Sequence, residues 1–238
     1  MNRVSELKVK LFADGADLKQ VLGLKANPII RGFTTNPTLM RAAGVRNYEE
    51  FARDFLKIVT DRPVSFEVFA DEFCDMERQA QKLASWADNV YVKIPVTNTR
   101  GQSSTPLVGR LSRAGVKVNL TAAMTLGQVR DAVAALAGGA PAAISVFAGR
   151  IADTGRDPVP IMAAAVELLS TCPKLELIWA SPRELLNVFQ ANSIGCHVIT
   201  ITGSMLAKLG TIGRDLADYS LETVTMFHTD ALQSGYHL

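Results

Sequence analysis

The residue with the clearest chemical potential is Lys93, which lies in the middle of the apolar run 90–96. β-Branched and aromatic residues occupy both parities of this run, which is typical of a parallel strand covered by helices on both faces. An ammonium without a partner is costly there and tends to lose its proton, and a neutral amine can attack a carbonyl carbon. Lys93 is therefore a candidate for Schiff-base formation. The alternative is a lysine at a strand end, whose stem packs on apolar surface while its head reaches water.

Two carboxylates also fall within or at the end of apolar runs. Asp14 ends such a run and is either a catalytic acid/base or the N-cap of a helix expected over 16–24. Glu67 lies inside the run 64–69, where a carboxylate is expected to be buried or to point into a polar barrel interior. We interpret Glu67 as a group that positions a water and relays protons beside Lys93. A structural ion pair with Lys93 is the alternative.

Further polar residues indicate a binding site for a hydroxylated, anionic substrate. Asn119 and Thr121 share one face of a strand, where they would bind hydroxyl groups if they face inward and form an ordinary polar pair if they face outward. Arg150 and Arg183 follow two other strands, and a guanidinium matches the oxygens of a phosphate. Pro182 is expected to open a helix whose amide groups add to this anion pocket. The alternative for the arginines is a solvated surface position.

Eight β-rich runs alternate with helix-like segments and must position these residues. The runs cover 9–13, 29–33, 64–69, 90–94, 116–120, 143–147, 175–179 and 197–201, and clear helical patterns cover 47–59, 125–137, 158–169 and 182–191. This alternation predicts an α/β fold, a single (β/α)8 TIM-barrel domain over 1–238, with an additional C-terminal helix at about 221–232 and a short tail. An open, doubly wound sheet is the alternative. Polar residues follow each run, and in a barrel these loops converge on one face.

The composition excludes several classes of function. The 238 residues are 48% hydrophobic, and the net charge of +2 includes no basic runs, so we expect no nucleic-acid partner. The apolar runs are of strand length and no signal peptide is visible, so we expect no membrane contact. Three scattered cysteines favour the reducing cytoplasm. Only His197, His228 and His237 could supply imidazole to a metal, and no nucleotide-binding motif is present.

A set of motifs runs in order along residues 8 to about 205. They are Phe12-Ala13-Asp14, Gly32-Phe33-Thr34-Thr35-Asn36-Pro37, Glu67, Val92-Lys93-Ile94-Pro95, Asn119-Leu120-Thr121, Ser145-Val146-Phe147-Ala148-Gly149-Arg150 and Ala180-Ser181-Pro182-Arg183. Together they resemble the transaldolase family in its short form. The resemblance implies a (β/α)8 barrel, class I aldolase chemistry with no metal or other cofactor, a Schiff-base lysine on the fourth strand, and a place in the pentose phosphate pathway.

The resemblance also implies a role for each matched residue. Lys93 would attack the C2 carbonyl of a ketose, and Asp14 would take the proton when the bond between C3 and C4 breaks. Glu67 and Thr121 would hold a water through which protons move. The dihydroxyacetone hydroxyls would be bound by Asn36, Asn119 and Ser145. A terminal phosphate would be bound by Ser181, Arg150 and Arg183. Two further residues, Thr34 and Phe147, would contact the substrate elsewhere in the pocket.

Two positions distinguish close relatives within this resemblance. Fructose 6-phosphate aldolases carry glutamine where this chain has Glu67 and tyrosine where it has Phe147. We therefore expect a transaldolase that moves a dihydroxyacetone unit from fructose 6-phosphate or sedoheptulose 7-phosphate to an aldose phosphate. Alternatives are an aldolase of the fructose 6-phosphate type, a relative that cleaves a sulfonated ketose, and a barrel that binds sugar phosphates without turnover. We expect small-molecule sugar phosphates as partners, a homo-oligomer, and a cytoplasmic location.

Overall fold

The structure, a computed structural model, describes residues 4–236. Its eight parallel strands form a closed barrel in chain order, with helices between them, which confirms the predicted (β/α)8 fold. The strands are β1 (Lys10–Asp14), β2 (Ile30–Thr34), β3 (Val64–Glu67), β4 (Val90–Pro95), β5 (Val118–Ala123), β6 (Ala142–Val146), β7 (Leu175–Trp179) and β8 (Val198–Thr202). His237, one of the three histidines considered above, lies outside the described residues.

Eleven α-helices are found within residues 4–236, together with short 3-10 turns at Val4–Glu6 and Lys208–Thr211. They are α1 (Leu18–Lys25), α2 (Pro37–Ala42), α3 (Tyr48–Ile58), α4 (Phe73–Ala84), α5 (Thr105–Arg113), α6 (Leu126–Leu136), α7 (Ala148–Ala152), α8 (Val159–Leu169), α9 (Leu186–Ser193), α10 (Gly203–Ala207) and α11 (Leu216–Ser234). The C-terminal helix α11 thus extends beyond the expected 221–232 at both ends.

The expectation that Pro182 opens a helix is wrong. Helix α9 begins only at Leu186, because the chain turns first at Ser181, which has a left-handed φ of 57°. The side chain of Asn187 then accepts hydrogen bonds from the backbone N–H groups of Arg183 at 2.7 Å and Glu184 at 3.1 Å. Residues 182–185 are therefore a turn held by one amide oxygen, and they give no helix N-terminus beside Arg183.

The main hydrophobic core lies between the barrel and the surrounding helices. The rings of Phe33 in β2 and Phe66 in β3 pack edge-on against Phe55 of α3, with centroids 5.5 and 5.8 Å apart. Such pairs add specific geometry to the burial of apolar area. The amphipathic pattern of 47–59 reflects this packing, since Phe51, Ala52, Phe55 and Leu56 form the buried face of α3.

A smaller apolar cluster fills the barrel interior. Its buried members are Phe12, Ala143, Ile178, Ala180 and Val198. The Phe12 ring lies so close to β2 that a Cβ on Gly32 would stand 2.5 Å from it, so any larger residue there would require the ring to move. At the amino-terminal end of the strands, the Lys10 ammonium pairs with the Glu176 carboxylate at 2.5 Å. The polar side chains of the candidate site lie above this cluster, toward the carboxyl ends of the strands.

Helix α11 packs very little against the rest of the chain. None of its residues is buried, and its large apolar side chains include Leu221 and Phe227, which are 66% and 63% exposed. No helix within residues 4–236 has the length and apolar character needed to span a membrane.

Candidate active site

Lys93 lies on the inner face of β4, with its ammonium on the floor of a cavity of about 600 Å³. Its side chain is only 8% exposed, so the head does not reach bulk water. The ammonium donates a hydrogen bond to the backbone carbonyl of Thr35 at 2.9 Å and lies 3.1 Å from Oε2 of Glu67. The amine therefore has a carboxylate partner, as the ion-pair alternative for Glu67 predicts, and that partner can accept its proton.

Glu67 faces Lys93 because the parallel register of β3 and β4 pairs these two residues directly. Its backbone is fixed by the phenol of Tyr48 in α3, which donates to the Glu67 carbonyl at 2.8 Å and accepts from the Glu67 N–H at 2.9 Å. Burial raises the pKa of Tyr48, so the phenol stays protonated. Sequence reasoning missed Tyr48, since nothing in an amphipathic helix marks one aromatic residue as the support of a strand end.

Asp14 ends β1 and lines the same cavity. Its Oδ1 accepts a hydrogen bond from the Thr34 hydroxyl at 2.8 Å, and that hydroxyl also contacts the hydroxyl of Thr200 in β8 at 2.6 Å. Burial raises the pKa of the Asp14 carboxyl, while the charge of Lys93 and the Thr34 hydrogen bond partly oppose this effect. A carboxylate with a raised pKa is suited to accept and return a proton.

The helix-cap alternative for Asp14 is wrong. Helix α1 begins at Leu18, and the side chain of Asp17 accepts a hydrogen bond from the N–H of Lys19 as its N-cap. Thr200, which holds Thr34 from the other side, was also missed. The alternation of isoleucine and threonine in β8 was the available signal, because it sets Thr200 on the inner face of a strand.

Asn36 borders the cavity beside Asp14. Its side-chain oxygen caps helix α2 through the N–H of Leu39 at 2.9 Å, and its amide nitrogen lies 3.5 Å from Oδ2 of Asp14. The cap fixes the oxygen of the amide, so the nitrogen is the side that faces the cavity.

Thr121 and Asn119 both face inward from β5, but at different depths. Thr121 lines the cavity, and its hydroxyl is buried without a hydrogen-bond partner in the described part of the chain. Asn119 lies deeper, where its oxygen accepts from the Ser145 hydroxyl at 2.7 Å and its nitrogen donates to Ser65 at 3.1 Å. In this arrangement Asn119 orients Ser145, which does line the cavity, and is not itself part of the lining.

Three predicted residues form the opposite end of the cavity. Arg150 stands in α7 and is exposed, whereas Arg183 forms a two-point ion pair with Asp153. Ser181 also lines the cavity, in the turn after β7. Phe147 at the start of α7 also lines the cavity and packs against the interior apolar cluster.

One cavity thus collects the side chains predicted from the sequence, with Asn119 directly beneath it. The predicted residues that line it are Asp14, Thr34, Asn36, Glu67, Lys93, Thr121, Ser145, Phe147, Arg150, Ser181 and Arg183. They include an amine, two carboxylates and two guanidinium groups, so the site can form an imine, move protons and bind an anion. No group of three or more His, Cys, Asp or Glu side chains within residues 4–236 is arranged to hold a metal ion.

Comparison with known proteins gives a consistent result. Residues 11–235 match a family model described as transaldolase/fructose-6-phosphate aldolase. The chain is 36% identical over 202 residues to probable transaldolase 2 of Listeria monocytogenes, covering 84% of this chain and 88% of that one. It is 34% identical over 216 residues to probable transaldolase of Streptococcus agalactiae, covering 90% and 95%. Among solved structures, KGPDC from Streptococcus mutans has a TM-score of 0.56 at 10% identity, over 82% of this chain and 87% of that chain, and shares only the fold.

Proposed function

Because the chain belongs to the transaldolase/fructose-6-phosphate aldolase family, and is thus a transferase enzyme, we propose that it transfers a dihydroxyacetone unit between phosphorylated sugars. The donor is a ketose phosphate such as fructose 6-phosphate or sedoheptulose 7-phosphate, and the acceptor is an aldose phosphate. The observation that carries the proposal is the Lys93 amine on the cavity floor, 3.1 Å from a carboxylate that can accept its proton.

The reaction begins when Glu67 takes a proton from Lys93 and the neutral amine attacks C2 of the ketose. The resulting carbinolamine loses water to form a protonated imine. Support for a proton-carrying water comes from the Thr121 hydroxyl, which is buried without a partner in residues 4–236 and faces the cavity. A buried hydroxyl without a partner is costly, and a water shared with Glu67 would satisfy it.

Carbon–carbon cleavage then depends on Asp14. Its carboxylate takes the proton of the C4 hydroxyl, the bond between C3 and C4 breaks, and its electrons move into the imine to leave an enamine on Lys93. The enamine carbon attacks the aldehyde of the acceptor, and Asp14 returns the proton to the new alkoxide. Hydrolysis of the imine releases the product and restores Lys93. Thr34 keeps the accepting oxygen of Asp14 in place through its 2.8 Å hydrogen bond.

Borohydride trapping with fructose 6-phosphate tests the proposal. A covalent adduct of a dihydroxyacetone unit is expected on Lys93 and is expected to disappear in Lys93→Ala. A suitable control is Lys10→Ala, because Lys10 is also on an inner strand face but pairs with Glu176 at the other end of the barrel. Labelling that persists in Lys93→Ala, or that disappears equally in Lys10→Ala, would rule out Lys93 as the imine-forming residue.

Transfer rather than simple aldol cleavage is supported by Phe147, which lines the cavity without a hydroxyl group. The enamine has no phenol there to help protonate C3, so it persists until an aldehyde arrives. Phe147→Tyr is expected to raise the ratio of free dihydroxyacetone to transfer product, measured with and without acceptor aldehyde. The exposed Phe69, which is not part of the cavity lining, provides the control Phe69→Tyr. An unchanged ratio in a Phe147→Tyr variant that still forms the imine would assign Phe147 to packing alone.

A second candidate is a relative that cleaves a ketose with a terminal sulfonate. The observation that favours it is the pairing of Arg183 with Asp153, which leaves Arg150 as the uncompensated charge among these three groups and so suits a singly charged anion. The ratio of kcat/KM for fructose 6-phosphate to that for its 6-sulfonate analogue distinguishes the two substrates. We further infer a homo-oligomer, since α11 exposes apolar side chains that a second copy could cover. A cytoplasmic location is supported by Cys74, Cys172 and Cys196, which are all free thiols.

A further inference from the structure

Arg183 is held by a neighbour that neither the motifs nor the family assignment identified. Its Nε donates to Oδ1 of Asp153 at 2.8 Å, and its Nη2 donates to Oδ2 at 2.5 Å. Asp153 is the C-terminal cap of α7, the short helix that also carries Arg150. The ion pair therefore joins the loops after β6 and β7 on either side of the anion end of the cavity.

Stability does not explain this ion pair. The Arg183 and Asp153 side chains are 43% and 48% exposed, and exposed pairs contribute little to folding. The backbone at both positions is held independently: the Asn187 oxygen accepts from the Arg183 N–H, and the Asp153 N–H donates to the Gly149 carbonyl at 2.9 Å. What the carboxylate adds is control over where the guanidinium points.

The geometry of the ion pair leaves the Nη1–Nη2 edge of the Arg183 guanidinium unoccupied by Asp153. A guanidinium carries five N–H donors, of which Asp153 engages one at Nε and one at Nη2. Three donors remain, and two of them, one on Nη1 and one on Nη2, form a bidentate edge that matches two oxygens of a phosphate or sulfonate. Hydrogen bonding to Arg183 lowers the pKa of Asp153, so the carboxylate is ionised at neutral pH.

We propose that Asp153 is a positioning residue for the anion end of the site: it fixes the Nε side of Arg183 so that the Nη1–Nη2 edge is oriented before substrate binds. The inference rests on the proposed function, because it assumes that this end of the cavity receives the terminal anion. Without Asp153, Arg183 loses its preferred orientation, and the ligand must bear the entropy cost of ordering a long side chain. The alternative to positioning is electrostatic repulsion, in which the negative charge of Asp153 weakens the binding of the anion.

A double-mutant cycle separates positioning from repulsion. The ligand is glucitol 6-phosphate, which has no carbonyl, with glucitol as the uncharged reference, and binding is measured by calorimetry. Asp153→Ala is expected to weaken the binding of glucitol 6-phosphate by about two- to tenfold, which corresponds to the cost of ordering one flexible side chain. In an Arg183→Ala background the same change is expected to cause no loss, because the positioning acts through Arg183 and the remaining effect of the carboxylate, on the charge of Arg150, opposes anion binding. Asp153→Asn keeps an acceptor oxygen and is therefore expected to lose less affinity for glucitol 6-phosphate than Asp153→Ala.

The control is Asp75→Ala, which removes an exposed aspartate that pairs with Arg78 in α4, away from the cavity. It is expected to leave binding unchanged. Tighter or unchanged binding in Asp153→Ala, a loss that persists without Arg183, or equal binding of glucitol and glucitol 6-phosphate by the wild type would each overturn the inference. Because this ligand cannot form an imine, failed borohydride trapping would refute the transaldolase proposal without affecting the cycle, and a failed cycle would leave the trapping result intact.

Discussion

At the scale of single residues, the proposed role of Asp14 as proton acceptor carries a cost in stability. Burial raises the pKa of Asp14 above its ordinary value of 3.8. Between that value and the raised pKa, the folded state holds a proton that the unfolded state has released. Stability therefore falls as pH rises through this interval, and the loss remains at neutral pH.

Asp14→Asn is accordingly expected to lose activity and gain stability. Without the carboxylate, carbon–carbon cleavage slows by about 10²- to 10⁴-fold, while borohydride trapping still occurs. At pH 7 the Tm is expected to rise, because the variant no longer buries an ionised carboxylate at this position. Thermal unfolding of wild type and variant from pH 3 to 8 checks the direction of this effect. The gain in stability of the variant must vanish at the acid end, where Asp14 is protonated in both the folded and the unfolded state. A variant that is less stable than wild type at pH 7 would contradict this account.

At the scale of elements, the loop after β7 depends on Gly149 in α7. A Cβ added at this position would lie 1.5 Å from the carbonyl oxygen of Ser181, which is a backbone atom and cannot swing away. Ser181 itself has a left-handed φ of 57°. Such backbone strain is stored where a binding site requires it. Close packing of the two loops is therefore a condition for the position of Arg183.

Gly149→Ala is expected to destabilise the fold by about 1 to 3 kcal/mol, the typical cost of overpacking, and to raise KM for phosphorylated substrates. Chemical denaturation and steady-state kinetics measure the two effects. Gly23→Ala is the control, because this glycine lies in α1 with no atom within 4 Å of an added Cβ. An alanine there is expected to be neutral or to stabilise by up to about 1 kcal/mol. Equal effects of the two variants would show that the contact with Ser181 is unimportant.

The strands were predictable from the sequence to within three residues at every end, because apolar runs of strand length separate amphipathic segments. The register of the parallel strands was not predicted, and it brings Glu67, Lys93 and Asn119 to one level of the barrel. Contacts that join distant elements were not predictable. The support of Glu67 by Tyr48 depends on where α3 docks, and that docking is a property of the packed barrel.

The turn at Ser181 shows a second limit of sequence reasoning. A proline before a helical pattern normally marks the first turn of a helix. Here the left-handed residue before Pro182 redirects the chain, and the side chain of Asn187 satisfies the free N–H groups. Nothing local distinguishes this turn from a helix start, and the Asp153–Arg183 pair that depends on it could not be inferred either.

At the scale of the whole molecule, α11 is a helix without enough packing to explain its order. An isolated helix of its length is marginal in water, and helices in proteins derive most of their stability from packing an apolar face. The apolar side chains of Leu221, Val224 and Phe227 are all more than half exposed. Another copy of the chain would supply the missing contacts.

Light scattering on the purified protein is therefore expected to give a molar mass that is a multiple of the 25.7 kDa of one chain. Deletion of residues 216–238 is expected to lower that multiple while the barrel stays folded, because no buried residue is removed from the described part of the chain. Val224→Glu should act in the same direction, and Asp218→Asn on the same helix serves as its control. A monomer that retains an ordered α11, or an assembly that survives the deletion, would contradict this role.

The filled barrel interior also determines the order in which substrates come and go. Below Lys93 the barrel interior is filled by the apolar cluster that contains Phe12. At the amino-terminal end of the strands, Lys10 and Glu176 form an ion pair. The aldehyde that leaves and the aldehyde that arrives must then share the entrance at the carboxyl ends of the strands. Double-reciprocal plots should therefore give parallel lines, as in a ping-pong mechanism, and the first product should compete with the acceptor for one waiting form of the enzyme.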